Sequence, residues 1–390
     1  MGMLVGRRRS VALLVVGALA SSLAACGSSD SGGSSDSGGG GKAATASSGS
    51  SGGDSALAAL KKTVDEHVTI TKIGPTKPLS AAPPKGVKIV YVNCGQPACT
   101  ANGAALKAAS QTLGWSYQEI QAQPTPEAIQ AAFTEAMRRD PDMVASAGFS
   151  KALYPRQLAE MNKKGITVMS VTGTEETGEG GITFEPLGPK GASAATAVLA
   201  DKTILDIGGK GQVGSVLLGG YPIVKTYTAS YENEIKAKCP DCSIKQLEIQ
   251  PTSLGKDAAQ KIANFMRANP NMKAIFYSYD LMGSGVPAAA KGAGVTNVPL
   301  SYSWAPDAPG LQALKTGERK ASMFMPQDEL GWMLADAEAR LKTGGSVADS
   351  APTQPIQIVS KDYNNVPAAS PYPASVKDYQ AQFNALWRVQ

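Results

Sequence analysis

From residue 87 to residue 303 the chain alternates short β-rich runs with amphipathic helical stretches, and that alternation leaves few folds open. Residues 87–93 read as a buried strand, 100–113 as a helix stopped by Gly114, and 116–121 as the next strand. Thr125 then caps a helix that carries Pro126 at its first position and Glu127 in its first turn, with Ile129, Phe133 and Met137 along its inner face. Strand 143–147, helix 154–164 and strand 166–171 complete a β-α-β-α-β-α-β series. After an irregular crossing at 183–189 the series restarts: helices at 192–206, 225–238, 256–268 and 281–292, strands at 212–218, 243–249, 274–278 and 299–303. A strand at 323–325, a helix at 328–342 and an extended stretch at 356–359 follow. Parallel strands need crossover helices, so the order predicts an α/β fold of two doubly wound parallel-sheet lobes, joined by a hinge with crossover strands.

The first 55 residues stand apart. Arg7, Arg8 and Arg9 precede an apolar run at 11–23, too short for roughly 30 Å of hydrocarbon but of signal-peptide proportions. It ends Leu23-Ala24-Ala25-Cys26, which resembles the lipobox of bacterial lipoproteins, whose cysteine is lipid-modified after cleavage. Residues 1–25 are therefore expected to be a signal peptide and Cys26 a lipid anchor. From there to residue 55 the chain is almost wholly Gly, Ser, Asp and Ala, a tether that cannot bury enough apolar surface to fold. The body would be held at the outer face of the cell membrane. No other stretch is long and apolar enough to be a membrane helix.

Composition excludes several functions. The net charge of +5 falls to +2 without the three leader arginines, which argues against nucleic acid as a partner. A single histidine, His67, leaves little room for a His-based triad, a histidine-rich metal site or a histidine proton shuttle. Apart from Cys26 the cysteines form two local pairs, Cys94 with Cys99 and Cys239 with Cys242. A zinc site built from both pairs competes with two disulfides. An oxidising compartment and the placement of the pairs in different halves favour the disulfides, and no metal is expected. Gly209-x-Gly211-x-x-Gly214 matches a dinucleotide fingerprint, but a helix precedes it and a strand follows, the reverse of what a pyrophosphate site needs. It reads as a turn, and no cofactor is expected.

Several short motifs fall in a familiar order: Gln96-Pro97 at the first helix, Asp140-Pro141-Asp142-Met143 before the third strand and Gly165-Ile166-Thr167-Val168 before the fourth. Gly208-Gly209-Lys210-Gly211, Ala274-Ile275-Phe276 with Tyr279-Asp280, and Gly317 continue it in the second half. In this order residues 87–359 resemble the type I periplasmic binding proteins, the ribose-binding group of ABC-importer substrate-binding proteins. The resemblance implies a monomer that captures a small molecule between its lobes and hands it to a permease; a receptor presenting ligand to a membrane sensor is the alternative. It implies no enzyme, and the strand ends carry no paired acids, histidine or placed nucleophile. The domains would be a leader (1–25), anchor and tether (26–55), an extension (56–86), lobe 1 (87–184 with 326–353) and lobe 2 (185–325 with 354–390).

Ligands of such sheets sit beyond the carboxyl ends of the strands. Candidate ligand residues are therefore Gln96, Cys99, Phe149 and Thr172 in lobe 1, with Lys225, Leu254, Tyr279, Trp304 and Met325 in lobe 2 and its crossing. Lys225 matches a basic position of the family but reads equally as a solvated helix-end lysine. Sugar binders usually carry an aromatic pair where this chain has Ala98-Cys99, and Asp-Arg where it has Thr172-Gly173. Both departures remove sugar-specific contacts, so a simple sugar is not the expected ligand. Asp280 is expected to cap the helix that follows it.

Overall fold

The computed structural model describes residues 51–351, 356–367 and 374–389. The expected signal peptide, Cys26 and most of the tether lie outside the described residues. The tether's last five residues already belong to a helix, α1 (Ser51–Asp65), where Asp54 in the first turn complements the helix dipole.

Two sheets form the frame. The first contains β1 (Lys88–Asn93), β2 (Ser116–Gln121), β3 (Met143–Ala147) and β4 (Thr167–Val171), all parallel, in the order β2-β1-β3-β4. Helices α2 (Pro97–Leu113), α3 (Pro126–Arg138) and α4 (Pro155–Lys163) connect them. The second contains β5 (Lys210–Leu218), β6 (Asp241–Ile249), β7 (Met272–Tyr277), β8 (Leu300–Trp304), β9 (Ala321–Phe324) and β10 (Gln357–Val359), in the order β10-β9-β8-β7-β5-β6. Only β10 among these runs antiparallel. Its helices are α5 (Pro189–Asp206), α6 (Pro222–Lys238), α7 (Ala258–Ala268), α8 (Val286–Gly292) and α9 (Ala308–Thr316). Two α/β lobes of mostly parallel strands were expected and are present.

Polarity sorts strands within each sheet. The inner strands β1, β3 and β7 are buried almost end to end, as helices cover both faces. β2 and β6 are largely exposed and carry charges, and both lie at sheet edges, where polar residues discourage pairing with another chain.

Helices start earlier than the apolar periodicity indicates. Pro97, Pro189 and Pro222 each open a helix three residues before the expected position, because a first-turn proline loses no intrahelical hydrogen bond. The expected helix at 281–292 divides instead into a 3-10 turn, Asp280–Gly283, and α8, with Gly285 in the left-handed region between them (φ 75°). α9 was not anticipated.

The last segments depart from the expected division. The expectation put all of 354–390 in the second lobe; β10 joins the second sheet, but α11 (Tyr379–Trp387) packs on α10 (Gln327–Lys342), and α10 lies against α2 of the first lobe. The cause is aromatic: the Trp332 and Trp387 rings stack 5.0 Å apart, with Phe383 tilted against both. Among the described residues no helix is long and apolar enough to cross a membrane.

Candidate functional site

The carboxyl ends of β1, β3 and β4 are neighbours in the first sheet, and those of β5, β7 and β8 in the second. Each is followed by a short turn that sets the direction of the next side chains.

After β1, buried Asn93 organises the turn. Its Nδ2 donates to Glu119 Oε1 (2.7 Å) and Thr100 Oγ1 (3.3 Å), while its Oδ1 accepts the Gly95 N–H (2.8 Å). The Cys94–Cys99 disulfide closes the loop, and the Tyr91 hydroxyl donates to the Cys99 carbonyl at 2.8 Å. Gln96 is exposed at the N-cap of α2, whereas Cys99 is buried beneath it. The second pair, Cys239–Cys242, is also disulfide-bonded and closes the turn between α6 and β6. Alkylation without reductant should leave these four cysteines unlabelled in mass spectrometry; four labelled thiols would refute the pairing. Reduction of the first bridge should also weaken ligand binding more than reduction of the second, since only the first shapes a strand-end loop.

After β3, Phe149 turns into the core. It packs edge-on to Phe133 at 6.1 Å in the core under α3 and α4. After β4, Thr172 adopts a left-handed backbone (φ 57°), unusual for a β-branched residue, and its hydroxyl donates to the Val171 carbonyl (2.6 Å). The Gly173 N–H is held by the buried Glu185 carboxyl at 3.0 Å. A side chain at 173 would collide with that carboxyl, so the turn needs glycine there. Burial pushes the Glu185 carboxyl up to about 8. Beside the turn the Thr174 hydroxyl contacts Glu175 (2.7 Å), which faces Lys151 at 3.9 Å.

In the second lobe Tyr221 is 41% exposed at the N-cap of α6, directly after Gly219-Gly220. Lys225 stands one helical turn further on and is also exposed. Tyr279, after β7, is half-buried; burial pushes its phenol up to about 12, helped by the nearby charge of Asp307 and by Tyr221. Asp307 lies beyond β8 and accepts the Gly310 N–H at 3.0 Å, capping α9. Its carboxyl is raised by burial and by Asp280, although the Gly310 bond opposes this. Leu254 is half-buried after β6.

Three expectations change here. Trp304 is 3% exposed and stacks on Tyr227 (4.7 Å between centroids), so it supports the loop from below instead of offering a face to a ligand. Asp280 does not cap a helix: its carboxylate is bound by Arg319 (2.7 Å) and the Ser303 hydroxyl (2.6 Å), all three groups buried. Met325 is buried in the crossing, where its sulfur accepts from Gln327 Nε2 (2.8 Å). Gln96 and Thr172 thus share one set of strand ends, and Lys225, Leu254 and Tyr279 the other. Phe149, Cys99, Trp304 and Met325 are core.

The strand-end rule missed Tyr221, Asp307 and Glu175. Tyr221 was legible from the glycine pair ending β5, and Asp307 from its position ahead of Ala308-Pro309-Gly310, a helix-start pattern. A cavity of about 250 Å3, bounded by Met266, Val286 and Leu300, lies near the amino ends of β8 and β9 and is also lined by Gly283 and Arg319.

Residues 87–346 match the family model described as periplasmic binding protein domain. No curated protein matches the chain. Similar solved structures include an ABC transporter solute-binding protein from Burkholderia graminis in complex with D-arabinose, at 17% identity and TM-score 0.61, covering 73% of this chain and 99% of that one. GanP, a glucose-galactose binding protein from Geobacillus stearothermophilus, is 16% identical with TM-score 0.62, covering 72% and 99%. A solute-binding protein from Agrobacterium vitis bound to α-D-tagatopyranose is 17% identical with TM-score 0.59, covering 74% and 99%. At such identities the likeness concerns the fold.

Proposed function

The chain belongs to the periplasmic binding protein domain family, and from that premise we propose that it is an extracytoplasmic substrate-binding lipoprotein that delivers a small molecule to an ABC importer permease. It acts as a monomer without catalysis or cofactor, anchored through Cys26. The observation that carries this reading is the rim formed by Tyr221, Lys225, Tyr279 and Asp307 at the ends of adjacent strands β5, β7 and β8. Lobes facing each other across a hinge can close over a ligand held there, and the closed form is what a permease recognises.

The ligand is a neutral molecule with a flat or partly apolar body, not a free pentose or hexose. Two of the structures above hold sugars and the third is a glucose-galactose binding protein, but here the family's Asp-Arg position is Thr172-Gly173 and its aromatic pair is Ala98-Cys99. A desolvated hydroxyl left without a partner costs roughly 1–3 kcal/mol, so a polyol is poorly compensated. Half-buried Tyr279 and exposed Tyr221 offer ring faces, while Asp307 discourages an anion. Gln96, Thr172 and Lys225 supply polar contacts, and Leu254 an apolar one.

Thermal-shift screening of the protein against sugars, polyols, aromatic acids and small amides would find the ligand, followed by calorimetry on variants. Tyr279→Ala should weaken binding severalfold to tenfold, an aromatic contact adding about 0.5–1.5 kcal/mol beyond area. Lys225→Ala should weaken it less. D-arabinose or D-glucose binding tighter than micromolar, unchanged in both variants, would overturn the ligand class and the site together.

A further inference from the structure

The segment between α1 and β1 is fastened to both lobes. α1 lies on α5 of the second lobe, with Leu60 and Val64 buried. The His67 carbonyl then accepts the Ile358 N–H (2.9 Å), and the Val68 carbonyl accepts Gln357 Nε2 (3.0 Å) and Asn365 Nδ2 (2.9 Å). Residues 67 and 68 are thereby pinned to β10, at the edge of the second sheet.

A few residues on, every partner belongs to the first lobe. Gln382 of α11 donates to the Thr71 carbonyl (3.0 Å) and accepts the Ile73 N–H (3.3 Å). Arg340 of α10 donates to the Lys77 carbonyl (2.9 Å), and the Leu79 N–H donates to the Leu386 carbonyl (2.8 Å). Trp115 Nε1 donates to the Pro84 carbonyl (2.8 Å). Ile73 and Leu79 are buried, so this end is seated by apolar packing as well as by hydrogen bonds.

We propose that residues 66–80 are a strap, a further link between the lobes beside the hinge crossings, which limits how far the lobes can separate. An extended chain spans at most about 3.3–3.6 Å per residue, so the five steps from Val68 to Ile73 cannot exceed roughly 18 Å. Wider separation has to break the bonds to β10 or pull Ile73 from its seat. The hinge crossings constrain the lobes near the cleft, whereas the strap joins β10 to α11 and adds an independent restraint on rotation.

The test lengthens the strap and leaves both ends in place. About eight Gly/Ser residues inserted after exposed Thr69 cost little in loop entropy and separate the anchor at Val68 from those at Thr71 and Ile73. Spin labels at Lys163→Cys in the first lobe and Lys256→Cys in the second, with Cys26→Ser so that only introduced thiols react, report the interlobe distance in the full chain. The lengthened strap should add a longer-distance population absent from the parent. The same insertion after Gly294, a turn within the second lobe, should not. Ile73→Ala, which loosens the seat without changing length, should act in the same direction as the lengthened strap. Thermal unfolding verifies that each variant is folded, and unchanged distance distributions in both folded strap variants would overturn the proposal.

Discussion

Asp336→Ala should lower the stability of the protein by about 3–5 kcal/mol, seen as a large fall in the urea midpoint. Asp336 is fully buried on α10 and carries four bonds: Arg340 Nε (2.7 Å) and Nη2 (3.3 Å), the Ser350 hydroxyl (2.6 Å) and Trp387 Nε1 (2.8 Å). Truncation leaves the Arg340 guanidinium, itself 3% exposed, buried with only the Lys77 carbonyl as a hydrogen-bond acceptor among the described residues. An uncompensated buried charge is what makes loss of one partner so costly. The damage also spreads, because α10, α11 and the strap all converge on this carboxylate. Asp336→Asn keeps the shape and some of the acceptor capacity and should cost less. A change below about 1 kcal/mol in the alanine variant would contradict this account of the α10–α11 junction.

Stability should also fall as the solution becomes alkaline. Burial raises the Glu185 carboxyl from the ordinary 4.5 to about 8, and Glu329 and Glu338 on α10 to about 7, again chiefly through burial. Between pH 4.5 and 8 the unfolded chain has Glu185 ionised while the native protein keeps it neutral, so folding takes up a proton. The native state is therefore favoured at low pH and loses that advantage as pH rises towards 8, after which the slope flattens. For Glu185 alone the interval corresponds to roughly 4–5 kcal/mol. Glu185→Gln keeps an acceptor for the Gly173 N–H and does not ionise. It should be more stable than the parent at pH 9, with a shallower decline from pH 5. Denaturant unfolding at pH 5, 7 and 9 decides the matter; a parent whose stability climbs over this range, matched by the variant, would exclude the mechanism.

Much of the fold was legible because both periodicities are local. Strand runs such as 88–93 and 143–147 show their burial in composition, and the helix-start signal at Thr125-Pro126 and the helix-stop signal at Leu113-Gly114 match observed caps. Pro97, Pro189 and Pro222 carried usable start signals that apolar spacing alone passes over. α9 was hidden because its nine residues include Pro309 and Gly310, and so read as a connection. The candidate site was legible only at the level of strand ends. That rule reaches Lys225 and Tyr279, but it cannot say which ring is left exposed. Phe149 and Trp304 occupy the right positions in the chain and lie in the core because helices packed on the sheets offer them ring partners, Phe133 edge-on to Phe149 and Tyr227 stacked on Trp304.

The sequence by itself determined two parallel-sheet lobes, their crossover helices, the local cysteine pairs and the loops that follow the strand ends. Each of these follows from residue periods, turn chemistry or separations of a few positions. Only the tertiary structure decided that α11 closes onto α10, that residues 66–80 link the second sheet to the first lobe, and that Asp280 serves Arg319 and not a helix end. These are contacts between segments tens to hundreds of residues apart. No local pattern encodes them, because a side chain's partner is set by which surfaces are left to bury once the sheets have formed.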